Sequence, residues 1–197
     1  VFKIRKGVTF HDGRTVTADD VVASLVHHQA ENSKSAAKSL LKEIASLKAD
    51  GPETVVFELT GGNADFPYTV SDYHMPIMPK KDDGSVDWES GNRTGAYKLD
   101  KFEPGVQASF TRNENYYKKD RGWFDRVEFL SIKDVAARTN ALLSGEIQYM
   151  DRCDLKTLDM LKSNPDFTVA EITGYGHYIY VMNVTQKPFD DVNVRKA

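Results

Sequence analysis

Phe2-Lys3-Ile4-Arg5-Lys6-Gly7-Val8-Thr9-Phe10-His11-Asp12-Gly13, followed by Val16-Thr17-Ala18-Asp19-Asp20-Val21, is the stretch on which the fold of this chain turns. Val1 to Arg5 alternates apolar and polar side chains, as a half-buried strand does. Lys6-Gly7 turns the chain, Val8-Thr9-Phe10 continues extended, and the Asp12-Gly13 pair predicts a turn with positive φ. Thr17 with Asp20 three residues on is a near capping box, and Val21, Val22, Leu25 and Val26 then recur at helical spacing, so a helix runs through His28.

Outward from this stretch, the pattern predicts a short helix over Ala36 to Leu41. A hairpin follows, with arms Glu43 to Lys48 and Thr54 to Leu59 around Ala49-Asp50-Gly51-Pro52-Glu53. Asp65 to Ser71 holds a helical turn, and Met75 to Pro79 is extended, because a residue before proline is pushed from the α region. Lys80 to Arg93, polar and glycine-bearing, is the best linker candidate. Gly95 to Leu99 and Val106 to Phe110 read as paired strands around Glu103-Pro104-Gly105, with Arg126 to Ile132 a third. Beyond it come a helix from Val135 to Leu143 ended by Gly145, a helix from Leu155 to Leu161, and strands at Ile147–Met150, Phe167–Ile172 and Tyr178–Asn183. Strands alternating with helices predict an α/β lobe.

Composition limits what such a chain does. Apolar residues make up 40% and charged residues 28% of the 197, with a net charge of −3, so neither nucleic acid nor an anionic membrane is expected as a partner. No run reaches the roughly 20 apolar residues that cross a bilayer, and Val1 to Gly7 lacks the layout of a secretory signal. The one cysteine, Cys153, forms no internal disulfide and makes a cysteine-based metal site improbable. Val1 falls inside a strand pattern and Asp190 to Ala197 reads as a cap with a first helical turn, so the sequence is expected to be part of a longer protein.

Catalytic and metal motifs find no foothold. His27 and His28, adjacent on a helix, point about 100° apart and do not converge on one metal. Asp82-Asp83-Gly84 with Asp87 and Glu89 lacks the alternating ligands of a calcium loop. Gly61-Gly62 leads into no phosphate-binding sequence, and Ser24, Ser71 and Ser144 lie outside any nucleophile elbow. No catalytic residue, metal ligand or cofactor is assigned. The aromatic residues are more suggestive. Tyr175, His177, Tyr178 and Tyr180 cluster around Gly174 and Gly176, as recognition loops often require. Tyr178 and Tyr180 share one strand face, where core packing is the competing reading, whereas Tyr175 and His177 at the loop end are the better ligand wall. Tyr73-His74 is a second such pair.

The opening stretch closely resembles the signature of family 5 extracellular solute-binding proteins, which include dipeptide, oligopeptide and nickel receptors. Further segments fall in the family's order: Thr94-Gly95-Ala96-Tyr97-Lys98-Leu99, Asn113-Glu114-Asn115-Tyr116-Tyr117, Leu142-Leu143-Ser144-Gly145-Glu146, and Asn183 with Pro188 through Ala197. Arg93 stands where the family often has glycine, and Ala96 replaces proline.

The resemblance implies an α/β, periplasmic-binding-protein-like fold (class II, family 5 type) that is partial here. Residues 1–91 correspond to the small extra domain, 92–184 to part of the first binding lobe and 185–197 to the crossover, with the second lobe missing. It implies the substrate-binding component of an ABC importer, not an enzyme. Such a component is a periplasmic or membrane-anchored extracytoplasmic monomer that captures a peptide or similar small solute between two lobes for a membrane permease. Tyr73, His74, Thr94, Tyr175, His177 and Tyr178 are the candidate ligand-binding residues. A hydrolase or sugar-active enzyme with an aromatic-lined cleft is the alternative, and a partner-binding regulatory or chaperone-like domain is a third.

Overall fold

Alternation at the start of the chain yields less strand than expected: β1 is only Phe2–Lys3, set against the middle strand of a three-stranded antiparallel sheet. Ile4 adds one more backbone hydrogen bond, to Glu53 O at 2.8 Å, before the chain leaves the sheet. This computed structural model describes residues 1–174, 179 and 181–196, which divide into two compact units, Val1–Ile132 and Lys133–Ala197.

In the first unit, Val8 to Val16 is a tight loop. Val16 N–H donates to Val8 O and Phe10 N–H to Arg14 O, and Gly13 closes the turn at φ +93°, the conformation expected of the Asp12-Gly13 pair. Helix α1 (Ala18–Gln29) begins where Thr17 predicted it: the Asp20 carboxylate accepts from the Thr17 N–H at 2.9 Å, the reaching-back half of a capping box. A 3₁₀ turn at Ala36–Ser39 replaces the expected helix, because Ser35 caps it and the chain leaves for the sheet within a few residues. Strands β2 (Ile44–Ala49) and β3 (Thr54–Leu59) form the expected hairpin, in the order β1-β3-β2.

The apolar stripe of α1 packs on this sheet. Leu25, Ala37, Leu41 and Met75 are buried together, with Val21, Ile44, Leu47 and Phe57 against them. At the edge, Phe2, Phe57 and Phe66, the last opening the single helical turn α2 (Phe66–Thr69), meet edge-to-face at 5.1–6.2 Å between ring centroids. Each such aromatic pair adds about 0.5–1.5 kcal/mol beyond the area it buries. The buried Ser24 hydroxyl binds α1 to the extended Met75–Pro79 segment, accepting from Met78 N–H at 2.8 Å and donating to Asp20 O at 2.7 Å.

Lys80 to Arg93 is not the free linker its composition suggests. Lys80 pairs with Val86, and the Arg93 guanidinium donates to the carbonyls of Asp87, Trp88 and Asn92 at 2.7–3.0 Å. Strands β4 (Tyr97–Glu103), β5 (Gln107–Arg112) and β6 (Arg126–Leu130) then form a second antiparallel sheet in sequence order. Pairing Leu99 with Phe110, Phe110 with Val127 and Ala108 with Phe129 sets these apolar side chains on one face.

The second unit carries α3 (Val135–Leu143), capped by Asp134 accepting from Ala137 N–H at 2.7 Å, with α4 (Leu158–Ser163) and α5 (Val192–Lys196). Helix α4 starts three residues later than expected, since Asp154 holds Lys156 and Thr157 in a turn. The strands expected at Ile147–Met150 and Phe167–Ile172 are not formed, nor is any strand among Ile179 and Val181–Asn183 of the third segment. Their composition favours extended chain. A strand also needs a neighbour for its N–H and C=O groups, and no described residue of this unit supplies one. Among the described residues no helix is long and apolar enough to cross a membrane.

Candidate functional site

Two carboxylate- and histidine-centred knots give the opening stretch its geometry. Asp20, fully buried, accepts from Arg14 Nη2 at 2.8 Å, from Thr17 Oγ1 at 2.8 Å and from Lys80 N–H at 2.8 Å, besides the Thr17 N–H. Burial alone pushes its carboxyl up. The hydrogen bonds from Arg14, Lys80 and Thr17 together outweigh that and hold it below the usual carboxylate range.

His11 is the second knot. Its Nε2–H donates to Gly95 O at 3.1 Å and its Nδ1 accepts from Arg93 N–H at 3.4 Å, a pair of roles that fixes the neutral tautomer. Burial lowers its pKa, the Gly95 carbonyl opposes, and the cations Lys98 and Arg93 lower it further. Beside it Asp12 Oδ2 accepts from Asn92 Nδ2 at 2.7 Å, and Lys98 Nζ donates to His11 O at 3.2 Å. The His11-Asp12 turn thus clamps residues 92–98, more than 80 positions along the chain.

This clamp sets Thr94 beside the second hydrophobic cluster, in which Val8, Phe10 and Val16 are buried with Ile4, Ile77 and Tyr117 against them. A cavity of about 180 Å³ opens there, with Thr94, Arg5 and Tyr117 in its wall. The Arg5 guanidinium lies over the Tyr117 ring, 5.6 Å from its centroid.

The other sequence candidates are placed differently. Tyr73 is 83% exposed and stacks on His74 with ring centroids 3.9 Å apart. Both the N–H and Nδ1 of His74 lie within 2.9 Å of Asp72 Oδ1. These hydrogen bonds, the backbone one foremost, hold the Asp72 carboxyl below its ordinary range. Neither Tyr73 nor His74 lines the Thr94 cavity. Tyr175, His177 and Tyr178 lie outside the described residues. Arg5 and Tyr117 join Thr94 in the cavity wall although no sequence motif singles them out for it; Tyr117 closes the Asn113–Tyr117 segment and Arg5 belongs to the alternating opening strand pattern.

Among the described residues no three His, Cys, Asp or Glu side chains form a group that could hold a metal ion. His27 and His28 meet edge-to-face at 5.4 Å, with His28 buried and its Nδ1 on Ser35 Oγ at 2.7 Å.

Comparison with known proteins agrees with this architecture. The family described as bacterial extracellular solute-binding proteins, family 5 Middle, matches residues 1–197. The oligopeptide-binding protein AppA of Bacillus subtilis (strain 168) is 28% identical, the alignment covering 99% of this chain and 37% of AppA. Di/tripeptide-binding protein 1 of Pseudomonas aeruginosa (strain UCBPP-PA14) is 27% identical, covering 100% of this chain and 41% of that protein. The crystal structure of NikZ from Campylobacter jejuni in complex with Ni(L-His) superposes with a TM-score of 0.82 at 23% identity, over 98% of this chain and 40% of NikZ. The chain therefore spans about two fifths of the length of these relatives and carries part of their α/β, periplasmic-binding-protein-like fold. It belongs to family 5 of the bacterial extracellular solute-binding proteins.

Proposed function

We propose that this chain is part of the solute receptor of an ABC importer, a protein that captures a peptide or similar small solute between two lobes and presents it to a membrane permease. The observation that carries the reading is the family match across the whole of residues 1–197. Relatives named for binding oligopeptides and di/tripeptides support peptides as the solute class. Solute selects the closed form because it touches both lobes, and the permease then recognises the closed state. The receptor binds without turnover, acts as a monomer, and works in the periplasm or anchored outside the cytoplasmic membrane.

Within that plan residues 1–91 form the small extra domain, 92–184 part of the first binding lobe, and 185–197 the crossover toward the second. Tyr175, His177 and Tyr178 form the ligand wall of the first lobe, while Tyr73, His74 and Thr94 offer surfaces from the preceding segments. Native mass spectrometry of the intact protein purified from its host tests the reading. A small solute released on denaturation, with saturable rebinding and no chemical change, is the expected result. Turnover of the bound solute would overturn it.

A further inference from the structure

The cavity beside Thr94 has a chemistry of its own. Its lining is aliphatic where it is deep, with Val8 and Val16 buried and Ile4, Val21 and Ile77 completing the wall. Among the described residues no Asp or Glu lines it. On the solvent side stands Arg5, whose guanidinium has no carboxylate within ion-pair distance among the described residues and rests on the Tyr117 ring instead. Lys118 Nζ also lies 5.6 Å from the centroid of that ring, outside the cavity wall, so Arg5 is the cation of the wall. The Thr94 hydroxyl, also in the wall, has no hydrogen-bond partner among the described residues. A guanidinium presents a fork of donors that fits a carboxylate, and the cation–π attraction of the Tyr117 ring at 5.6 Å favours a position for that fork at the cavity wall. Water's share of liquid volume is about 30 Å³, so the 180 Å³ cavity has room for about six such groups, a short branched chain and not a whole peptide.

We propose that this pocket binds a short branched aliphatic group bearing a carboxylate, with the branched end against Val8, Val16, Val21 and Ile77 and the carboxylate on Arg5, within hydrogen-bond reach of the Thr94 hydroxyl. The pocket is built wholly from residues 4–117, so its binding stands or falls separately from the receptor reading. Two sources supply this chemistry, a free branched acid and the C-terminal leucine, valine or isoleucine of a peptide. 4-Methylpentanoate and N-acetyl-L-leucine represent them.

The test is a titration of the intact protein, labelled at isoleucine and valine methyls, followed by NMR, with 4-methylpentanamide as the uncharged control. Ligands of about eight to twelve heavy atoms are expected to bind at about millimolar strength. The expected result is saturable shifts at the Ile4, Val8, Val16, Val21 and Ile77 methyls, with affinity weakened about tenfold or more in the amide and in Arg5→Gln, because a charge-assisted hydrogen bond is lost. The tighter of the two acids names the source. Equal binding of acid and amide overturns the proposal without any variant being needed. So does unchanged binding in Arg5→Gln, or the absence of shifts at these methyls for both acids.

Discussion

Replacing Asp20 by asparagine keeps the shape of the side chain and removes one acceptor oxygen from the most heavily used carboxylate of the fold. Oδ1 accepts from Arg14 Nη2 and Lys80 N–H; Oδ2 accepts from the N–H and the hydroxyl of Thr17, with Arg14 Nη1 at 3.4 Å. Whichever oxygen becomes an amide NH₂ then faces donors. The Thr17 hydroxyl can turn to accept, but a backbone N–H or the guanidinium cannot. Arg14, with 42% of its side chain exposed, recovers water, whereas the buried amide group does not. An unmet buried donor costs about 1–3 kcal/mol, so the whole substitution is expected to cost about 2–3 kcal/mol. At about 2–4 °C per kcal/mol for a chain of this size, Tm falls by about 4–12 °C. Thermal unfolding and urea titration followed by circular dichroism read this directly. The folded carboxyl titrates below its unfolded value, so its stabilisation is present above about pH 4 and is lost as pH falls through the lower, folded pKa. Asp20→Asn is therefore expected to flatten the acid limb of the stability curve. An Asp20→Asn protein within about 0.5 kcal/mol of the parent at pH 7, with the same acid limb, would refute the claim that this carboxylate ties the loop, helix and Lys80 together.

Other outcomes follow from the same geometry. Burial first, and then the charges of His27 and His74, lower the His28 pKa, and its buried Nε2 has no hydrogen-bond partner among the described residues. The unfolded chain therefore takes up protons first, and stability present above about pH 6.5 is lost as pH falls toward the folded pKa. His28→Asn, which keeps a polar atom near Ser35, is expected to lessen that loss when urea midpoints are compared at pH 7 and pH 5, with His11 contributing to the remainder in the same direction. Ser24→Ala leaves the Met78 N–H unmet inside the core and is expected to cost about 1–3 kcal/mol by chemical denaturation. Gly91 has φ +73°, and an added Cβ would lie 2.7 Å from Leu99 Cδ2, so Gly91→Ala is expected to destabilise by at least about 1 kcal/mol, where Gly61→Ala, with open space around it, changes little.

Local pattern carried much of the fold. Thr17 with Asp20 marked the start of α1, the Asp50 to Glu53 turn separated two β arms, and Glu103-Pro104-Gly105 divided β4 from β5, because capping, turn conformation and period-two alternation act within a few residues. The opening stretch, by its resemblance, also carried the family. Where pattern failed, the missing ingredient was a partner. Ile147–Met150 and Phe167–Ile172 have strand composition and no described neighbour to pair with, and Lys80 to Arg93 has linker composition yet has its polar groups met by nearby carbonyls and backbone.

The candidate site divides along the same line. Thr94 was marked by its segment, and the structure sets it in a cavity wall. Only tertiary structure brought Arg5 and Tyr117 to that wall and closed the His11-Asp12 clamp on residues 92–98. Cap, turn and amphipathic stripe were thus determined by the sequence alone, since each depends on side chains a few positions apart. The clamp, the buried Asp20 knot and the cavity were decided by the fold, since a hydrogen bond between residues 80 positions apart exists only after the core between them has packed.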